Sequence, residues 1–249
     1  MSRITLLGIP IDAITLPQAL ERLERMLHSG HQHHVMTPNS EMLVAARTQP
    51  AFRQVLERSD LNLPDSQGIV WMGRYTGQMI PERVTGIDTV TAFSAQLTEA
   101  DSIFLLGAAP GIAEQAALTL LARNPHLQIA GTYAGSPRPE DAAMIIDQIN
   151  TVHPDILLVA YGAPAQDLWI ASHLKALPSV KIAMGVGGTL DFLAGTQKRA
   201  PLFLQRLGLE WFWRLLREPR RLPRIINAVL VFPWLVLRSQ PPRRRAVIR

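Results

Sequence analysis

Between residues 103 and 186 the chain alternates short apolar runs, glycine turns and helix-length stretches, and this alternation constrains its fold more than any other feature. The runs 103–106, 127–130, 156–159 and 182–186 have the length and apolarity of buried strands. Gly107 and Gly111, Gly131 and Gly135, Gly162-Ala163-Pro164, and Gly187-Gly188 mark the turns that follow them. Helices are predicted up to Arg123, over 141–149 and over 166–177. Strands separated by helices of this length are joined by right-handed crossovers, which produce a parallel or mostly parallel sheet.

The segment before residue 103 is less regular. It predicts a strand at 4–7, a helix at 16–27 and a short strand at 35–36. Helices follow from Glu41 (with Ser40 as its cap) and over 51–58. A short strand then precedes Pro64-Asp65, with helices at 69–75 and 88–97 and a loop at 81–86 between them. The fold class expected is α/β, a Rossmann-like, mostly parallel sheet with flanking helices. Such sheets bind ligands beyond the C-terminal ends of their strands. Thr37, Asn39, Asp65, Gly107, Gly162 and Gly187 each stand just after a predicted strand, so they are expected to line one cleft.

Residues 181–224 join three features. Gly187-Gly188 lets backbone N–H groups approach an anion closely. Asp191 is an acid in the apolar setting Leu190, Phe192 and Leu193. A run dense in arginine and tryptophan follows: Lys198, Arg199, Arg206, Trp211, Trp213, Arg214, Arg217, Arg220, Arg221 and Arg224. The combination predicts a phosphate site beside a charged surface.

The net charge of +5 conceals an asymmetry. From Thr196 onward there are 13 Lys/Arg and 2 Asp/Glu, a balance of +11, whereas residues 1–195 hold 12 and 18, a balance of −6. The basic end therefore has a partner of its own, and an evenly basic nucleic-acid binder is excluded. With no cysteine in its 249 residues the chain has no disulfide framework and no thiolate metal site. The N-terminus lacks the pattern of a secretory signal. The apolar run 225–237 is interrupted by Asn227 and Pro233 and is short of the roughly 20 residues of a membrane span. Arg220, Arg221 and Arg224 flank it on one side, and Arg238, Arg243, Arg244, Arg245 and Arg249 on the other. That pattern, with Trp234 inside it, fits an element lying in a membrane interface. The division expected is a core, 1–195, and a helical basic appendage, 196–249.

Several residues admit two readings. Asp65 is either a turn or cap residue or a general base at a strand end. Thr37 and Asn39 are common turn residues, and Arg83 is either a surface charge or a diphosphate clamp. The histidines 28, 31, 33 and 34 read as a polar loop, since no carboxylate accompanies them at ligand spacing. No Asp-x-Asp pair is present to hold a divalent cation. The glycines at 107 and 111 miss the G-x-G-x-x-G spacing of a dinucleotide turn.

The segments TPNSEMLVAAR, LPDSQGIVW, PERVTGID, FLLGAAPGIAEQAA, PDILLVAYGAPAQDLWI, MGVGGTLDFLAGTQKRAP and LGLEWFWRLLREPRRLPR, in this order, resemble the WecG/TagA/CpsF family of bacterial glycosyltransferases. The resemblance implies an α/β core with a C-terminal appendage and no cofactor or metal. It also implies a UDP-sugar donor and a polyprenol-diphosphate-linked N-acetylglucosamine acceptor. N-acetylmannosamine or its uronic acid is then the sugar expected. Thr37 and Asp65 match the family's pocket threonine and catalytic base. Arg83 matches the arginine of its E-R-V-x-G motif, Gln166 the glutamine of P-K-Q-E, and Asp191 the acid of G-G-x-x-D, near the uridine. Arg214, Arg221 and Arg224 match the appendage arginines. Asn39, Gly107, Gly162, Gly187 and Gly188 complete the expected substrate-binding set. Ser66, Ala165 and Asp167 depart from the family pattern, which has Gly, Lys and Glu there.

The function expected is an inverting, metal-independent glycosyltransferase of cell-surface polysaccharide synthesis. It would be cytoplasmic, peripheral on the inner face of the plasma membrane, with no nucleic-acid partner and with a homo-oligomer possible. The alternatives are a nucleotide-cofactor oxidoreductase on the same sheet and a non-catalytic membrane-associated binding module.

Overall fold

The computed structural model describes residues 2–239, so Arg243, Arg244, Arg245 and Arg249 lie outside the described residues. The chain opens with two strands, β1 (Arg3–Leu6) and β2 (Ile9–Asp12). Helix α1 (Leu16–Leu27), strand β3 (His33–Met36), helices α2 (Ser40–Ala45) and α3 (Pro50–Arg58), strand β4 (Leu61–Asn62), and helices α4 (Gln67–Tyr75) and α5 (Gly86–Ser94) follow. The regular half contains β5 (Ser102–Gly107), α6 (Ile112–Arg123), β6 (Gln128–Tyr133), α7 (Ala142–Val152), β7 (Ile156–Ala160), α8 (Ala165–His173) and β8 (Ile182–Gly185). Short helices α9 (Thr189–Leu193), α10 (Leu202–Arg206), α11 (Glu210–Arg217) and α12 (Leu222–Ile226) lead to α13 (Phe232–Ser239).

Six strands form one parallel sheet in the order β4-β3-β8-β7-β5-β6, as the alternation predicts. The central strands β7 and β8 are buried along their whole length, as expected of parallel strands covered on both faces. On one face, Leu23 and Leu27 of α1, Val90 of α5 and Ala116 of α6 pack with Leu105, Leu158 and Met184. On the other, Ile145 of α7 and Trp169 of α8 cover Phe104, Leu157 and Val159. The first and last strands of this sheet, β3 and β8, lie side by side, and their C-terminal loops open next to each other.

Two elements differ from expectation. The predicted first strand belongs to a separate antiparallel hairpin of β1 and β2, not to the main sheet. Leu7 and Gly8 both take positive φ, 52° and 84°, the conformation of a two-residue turn that matches hairpin twist. Pro10 hides the second strand from a sequence reading because proline ordinarily breaks a ladder. Asp12 then ties the hairpin to β4, its carboxylate accepting from the Asn62 N–H at 2.8 Å and from Arg3 Nε at 3.0 Å.

The helix around the late apolar run also extends beyond 225–237. A helix runs through Pro219–Ser239, 21 residues, long and apolar enough by length and composition to cross a membrane. Its interior Pro233 lacks an N–H and would clash with the carbonyl four residues earlier. The helix widens into a π-turn over Asn227–Val231 just before it, the usual accommodation of such an insertion. Phe232, Leu235 and Val236 are buried, Phe232 and Val236 against Met42, Leu43 and Ile69 of α2 and α4, whereas Leu230, Trp234 and Leu237 on the other side are exposed. The helix is thus fastened to the core along one stripe.

Candidate active site at the strand ends

Leu63-Pro64 carries the chain out of β4 so that Asp65 arrives beside the end of β3, its N–H donating to the Pro38 carbonyl at 3.0 Å. Asp65 Oδ2 accepts from the N–H of Gly86, the first residue of α5, at 3.2 Å. Gly86 lies at the meeting point of three side chains. A Cβ there would stand 3.3 Å from Thr189 Oγ1, 3.5 Å from Thr37 Cγ2 and 3.7 Å from Asp65 Oδ2. Thr37 is buried and donates to the Gly185 carbonyl at 3.3 Å. Asp65, Thr37 and the Gly187 turn therefore sit together at the C-terminal edge of the sheet, as the sequence predicts, with Thr189 added.

Burial pushes the Asp65 carboxyl up to about 7; the Gly86 N–H and the charges of Arg83 and Arg214 oppose this, and Glu210 adds to it. A carboxylate balanced near neutral pH suits a general base. Arg214, on α11, lies over the Phe192 ring at 5.1 Å. Among the described residues it makes no ion pair or hydrogen bond through its guanidinium, and burial lowers its pKa. It is a cation held near Asp65 without a partner of its own.

The other predicted residues divide by environment. Arg83 is paired with Glu210 at 2.8 Å, and Arg199 bonds Asp88 at 2.5 Å while approaching Glu210 at 3.8 Å. This network joins α11 to the start of α5. Gln166 is buried, and its Oε1 accepts from the N–H groups of Gly162 at 3.0 Å and Gly187 at 2.9 Å. It therefore holds two strand-end turns in register rather than facing an open cleft. Asn39 caps α2, accepting from the Met42 N–H at 3.0 Å. Gly107 takes φ +102° with the Ala160 backbone 2.8 Å from where a Cβ would be, so its role there is packing of β5 on β7. Gly162 and Gly187 have positive φ and open space around the missing Cβ, the condition for close approach by a ligand.

Asp191 lies in the first turn of α9, its pKa raised by burial and drawn down by its own N–H and by Arg221. Asp191 Oδ2 is 3.8 Å from where a Cβ on Gly188 would stand. Arg221 pairs with Glu218 at 2.6 Å and Arg224 with Glu41 of α2 at 2.7 Å. Among the described residues no group of three or more His, Asp or Glu is placed to hold a metal ion.

Sequence reasoning gave no site role to Glu210, Asp88 or Thr189, and placed Arg199 only within the basic run. Glu210 carried a usable signal as one of two acids in a segment of +11. Asp88 stands three residues after Thr85, which caps α5 by accepting from the Asp88 N–H at 3.1 Å, a capping spacing. Two of the departures from the family pattern find local reasons. Ser66 caps α4 and bonds Ser40 Oγ at 2.9 Å. Asp167 is fully buried, its carboxyl pushed up to about 7 by desolvation, with His34 Nε2 3.9 Å away. Its contact with Gly185 yields a prediction. A Cβ at position 185 would collide with Asp167 Oδ1 and come within 2.7 Å of Gln166 Nε2. Gly185→Ala is expected to destabilise the fold by about 1–3 kcal/mol, as overpacking typically does. Urea denaturation with an unchanged midpoint would show that α8 simply moves aside.

The profile of the glycosyl transferase WecG/TagA/CpsF family matches residues 4–246. Curated relatives include an N-acetylglucosaminyldiphosphoundecaprenol N-acetyl-beta-D-mannosaminyltransferase from Staphylococcus aureus (strain MRSA252), 27% identical over 248 residues, 98% of this chain and 96% of the relative. The proteins of the same name from strains MW2 and NCTC 8325 match with the same identity and coverage. A parallel sheet whose strand ends gather Thr37, Asp65 and the Gly187 turn, matched along nearly its whole length by one profile, places the chain in the WecG/TagA/CpsF family of glycosyl transferases.

Proposed function

We propose that this glycosyltransferase moves N-acetylmannosamine or its uronic acid from a UDP-sugar to a polyprenol-diphosphate-linked N-acetylglucosamine, with inversion and without a metal ion. The observation that carries the reading is Asp65, a carboxyl poised near neutral pH at the strand ends, with the unpaired Arg214 in electrostatic reach. Asp65 takes the proton of the acceptor hydroxyl, and the acceptor oxygen forms a bond to the anomeric carbon. The bond from that carbon to the diphosphate oxygen breaks on the opposite face, and UDP departs with the electron pair. Arg214 faces the charge that grows on the diphosphate, where a preorganised cation has its largest effect. Thr37 lies near the base, and the Gly162 and Gly187 turns, with open space where a Cβ would stand, let the donor approach the backbone closely. Asp191, Arg221 and Arg224 form the outer wall.

The acceptor identity rests on the names of the relatives. Residues 1–195 serve as the catalytic core and 196–249 as an appendage that completes the site and rests on the inner leaflet. Support for completion comes from the Arg83–Glu210 and Arg199–Asp88 pairs between the two. Support for docking comes from Phe203, Phe212, Leu216, Ile226, Leu230 and Trp234, large apolar side chains left exposed among arginines.

Incubation with a panel of UDP-sugars and a short-chain lipid-diphosphate acceptor tests the reading through released UDP and product mass. EDTA is expected to leave the rate unchanged, since arginine rather than a metal ion faces the leaving group. Inactivation by EDTA with rescue by a divalent ion would overturn the metal-free route.

A further inference from the structure

Away from the cleft, an open pocket of about 580 Å³ lies between the tip of the β1–β2 hairpin, the residues after α2, helix α3 and the last turn of α13. Thr5, Leu7, Gly8, Arg47, Arg53, Leu235, Arg238 and Ser239 line it, and none of these is acidic. The size falls within the roughly 300–1,000 Å³ of small-ligand sites.

Three arginines converge there, and one of them, Arg53, is paired with a carboxylate. Arg53 is built in: its Nη1 donates to the Leu7 carbonyl at 3.3 Å and its Nε pairs with Glu57 at 2.7 Å. Gly8, at φ +84°, leaves room for that guanidinium, which a Cβ would strike. Arg47 is exposed and has no side-chain hydrogen bond or ion pair among the described residues. Arg238 lies 5.4 Å from the ring centre of Trp234, which is 54% exposed. The cationic pocket is therefore continuous with the exposed stripe Leu230, Trp234 and Leu237, and Leu7 and Leu235 give it an apolar floor. Guanidinium forks over an apolar base, opening beside an apolar helix face, match an amphiphilic phosphate better than a soluble anion.

The geometry points to a binding site for the headgroup phosphate of an anionic phospholipid at Arg47, Arg53 and Arg238, separate from the catalytic cleft. The helix joins the two. Arg224 meets Glu41 near the start of α2, and Arg238 lies 14 residues further on, roughly 20 Å at helical rise. One lipid held at the far end would fix the direction in which the helix lies on the leaflet, so that the cleft end faces a lipid-linked acceptor. The inference rests on the docking reading above and specifies its chemistry.

Co-sedimentation of the full chain with phosphatidylcholine vesicles, with and without phosphatidylglycerol, tests it. Arg47→Ala with Arg238→Ala is expected to weaken binding to the anionic vesicles about 25-fold, near five-fold per arginine. Binding to neutral vesicles should stay unchanged, as should transfer to a water-soluble acceptor. A charge-matched control, Arg22→Ala with Arg25→Ala on α1, is expected to lose no more than about two-fold, because unpocketed surface charge is screened within a Debye length. Equal losses in the two doubles would overturn the pocket while leaving docking intact. So would full restoration by lysine at both 47 and 238, which keeps charge but not the fork. Loss of transfer to the soluble acceptor would place the pocket within the cleft and also overturn the inference. A parent protein that ignores both vesicles overturns pocket and docking together.

Discussion

Asp65→Asn is expected to fold like the parent and to lose about 10²–10⁴-fold in kcat, the span usual for a general base. The amide oxygen can still accept from the Gly86 N–H, so the loop and the start of α5 keep their positions. What is lost is the ability to take a proton. The donor KM should change little, since the carboxylate acts on the acceptor hydroxyl. A pH signature separates this role from a structural one. Because burial holds the Asp65 carboxyl near 7, it is protonated below that pH and cannot serve as a base. The parent's rate should therefore rise as pH increases through about 7 and level off above it, while the variant's residual rate stays flat there. Stability should move the other way. Above pH 7 the parent holds a desolvated carboxylate, so removing the charge should leave thermal stability equal or higher, as happens at sites kept for activity. Initial rates of UDP release across this range decide the matter, and near-parental turnover in the variant would remove Asp65 from the mechanism.

For Arg214→Ala the expected loss is about 10²–10³-fold in kcat, comparable to deleting one preorganised donor from a site of developing charge. The reason is its lack of a partner. Arg83 is engaged by Glu210 and Arg221 by Glu218, whereas among the described residues Arg214 makes no ion pair or hydrogen bond and lies over the Phe192 ring. A cation left unpaired before substrate arrives can give its full interaction to the departing diphosphate. Arg214→Lys should recover part of the rate, since it restores charge without the planar fork. The ratio of effects is diagnostic. A rise in donor KM with kcat unchanged would mean that Arg214 holds ground state and transition state alike, and the proposed role would be wrong. A modest loss of stability should accompany the alanine variant, because a cation–π contact is worth roughly 0.5–2 kcal/mol.

Asp65 and Thr37 were legible because each follows an apolar run, and a parallel sheet brings all such positions to one edge whatever the details of packing. Gln166 was legible as a motif residue, but its structural work was not. Only the folded chain brings the Gly162 and Gly187 N–H groups to the same amide oxygen. Arg83 shows the same limit. Its loop and charge leave a surface charge and a diphosphate clamp both open, and only the fold shows that its guanidinium pairs with a glutamate 127 positions away.

The sequence by itself determined the parallel α/β core, the strand-end edge where Thr37 and Asp65 lie and the basic character of the end, because periodicity, turn residues and charge are local properties of the chain. Tertiary structure decided what those properties are used for. Pro10 stands in a strand because a separate hairpin can form around Leu7-Gly8, its Ile4, Leu6, Ile9 and Ile11 packing into one core with Met42, Leu43 and Ile69. The late apolar run sends Phe232 and Val236 into that core and leaves Trp234 outside, a division set by the surface of α2 and α4 rather than by its hydropathy. Arginines that look alike in sequence become a paired strut at 83, an unpaired cation at 214 and a pocket wall at 47 and 238, because an ion's role depends on which carboxylates and how much water the fold places around it.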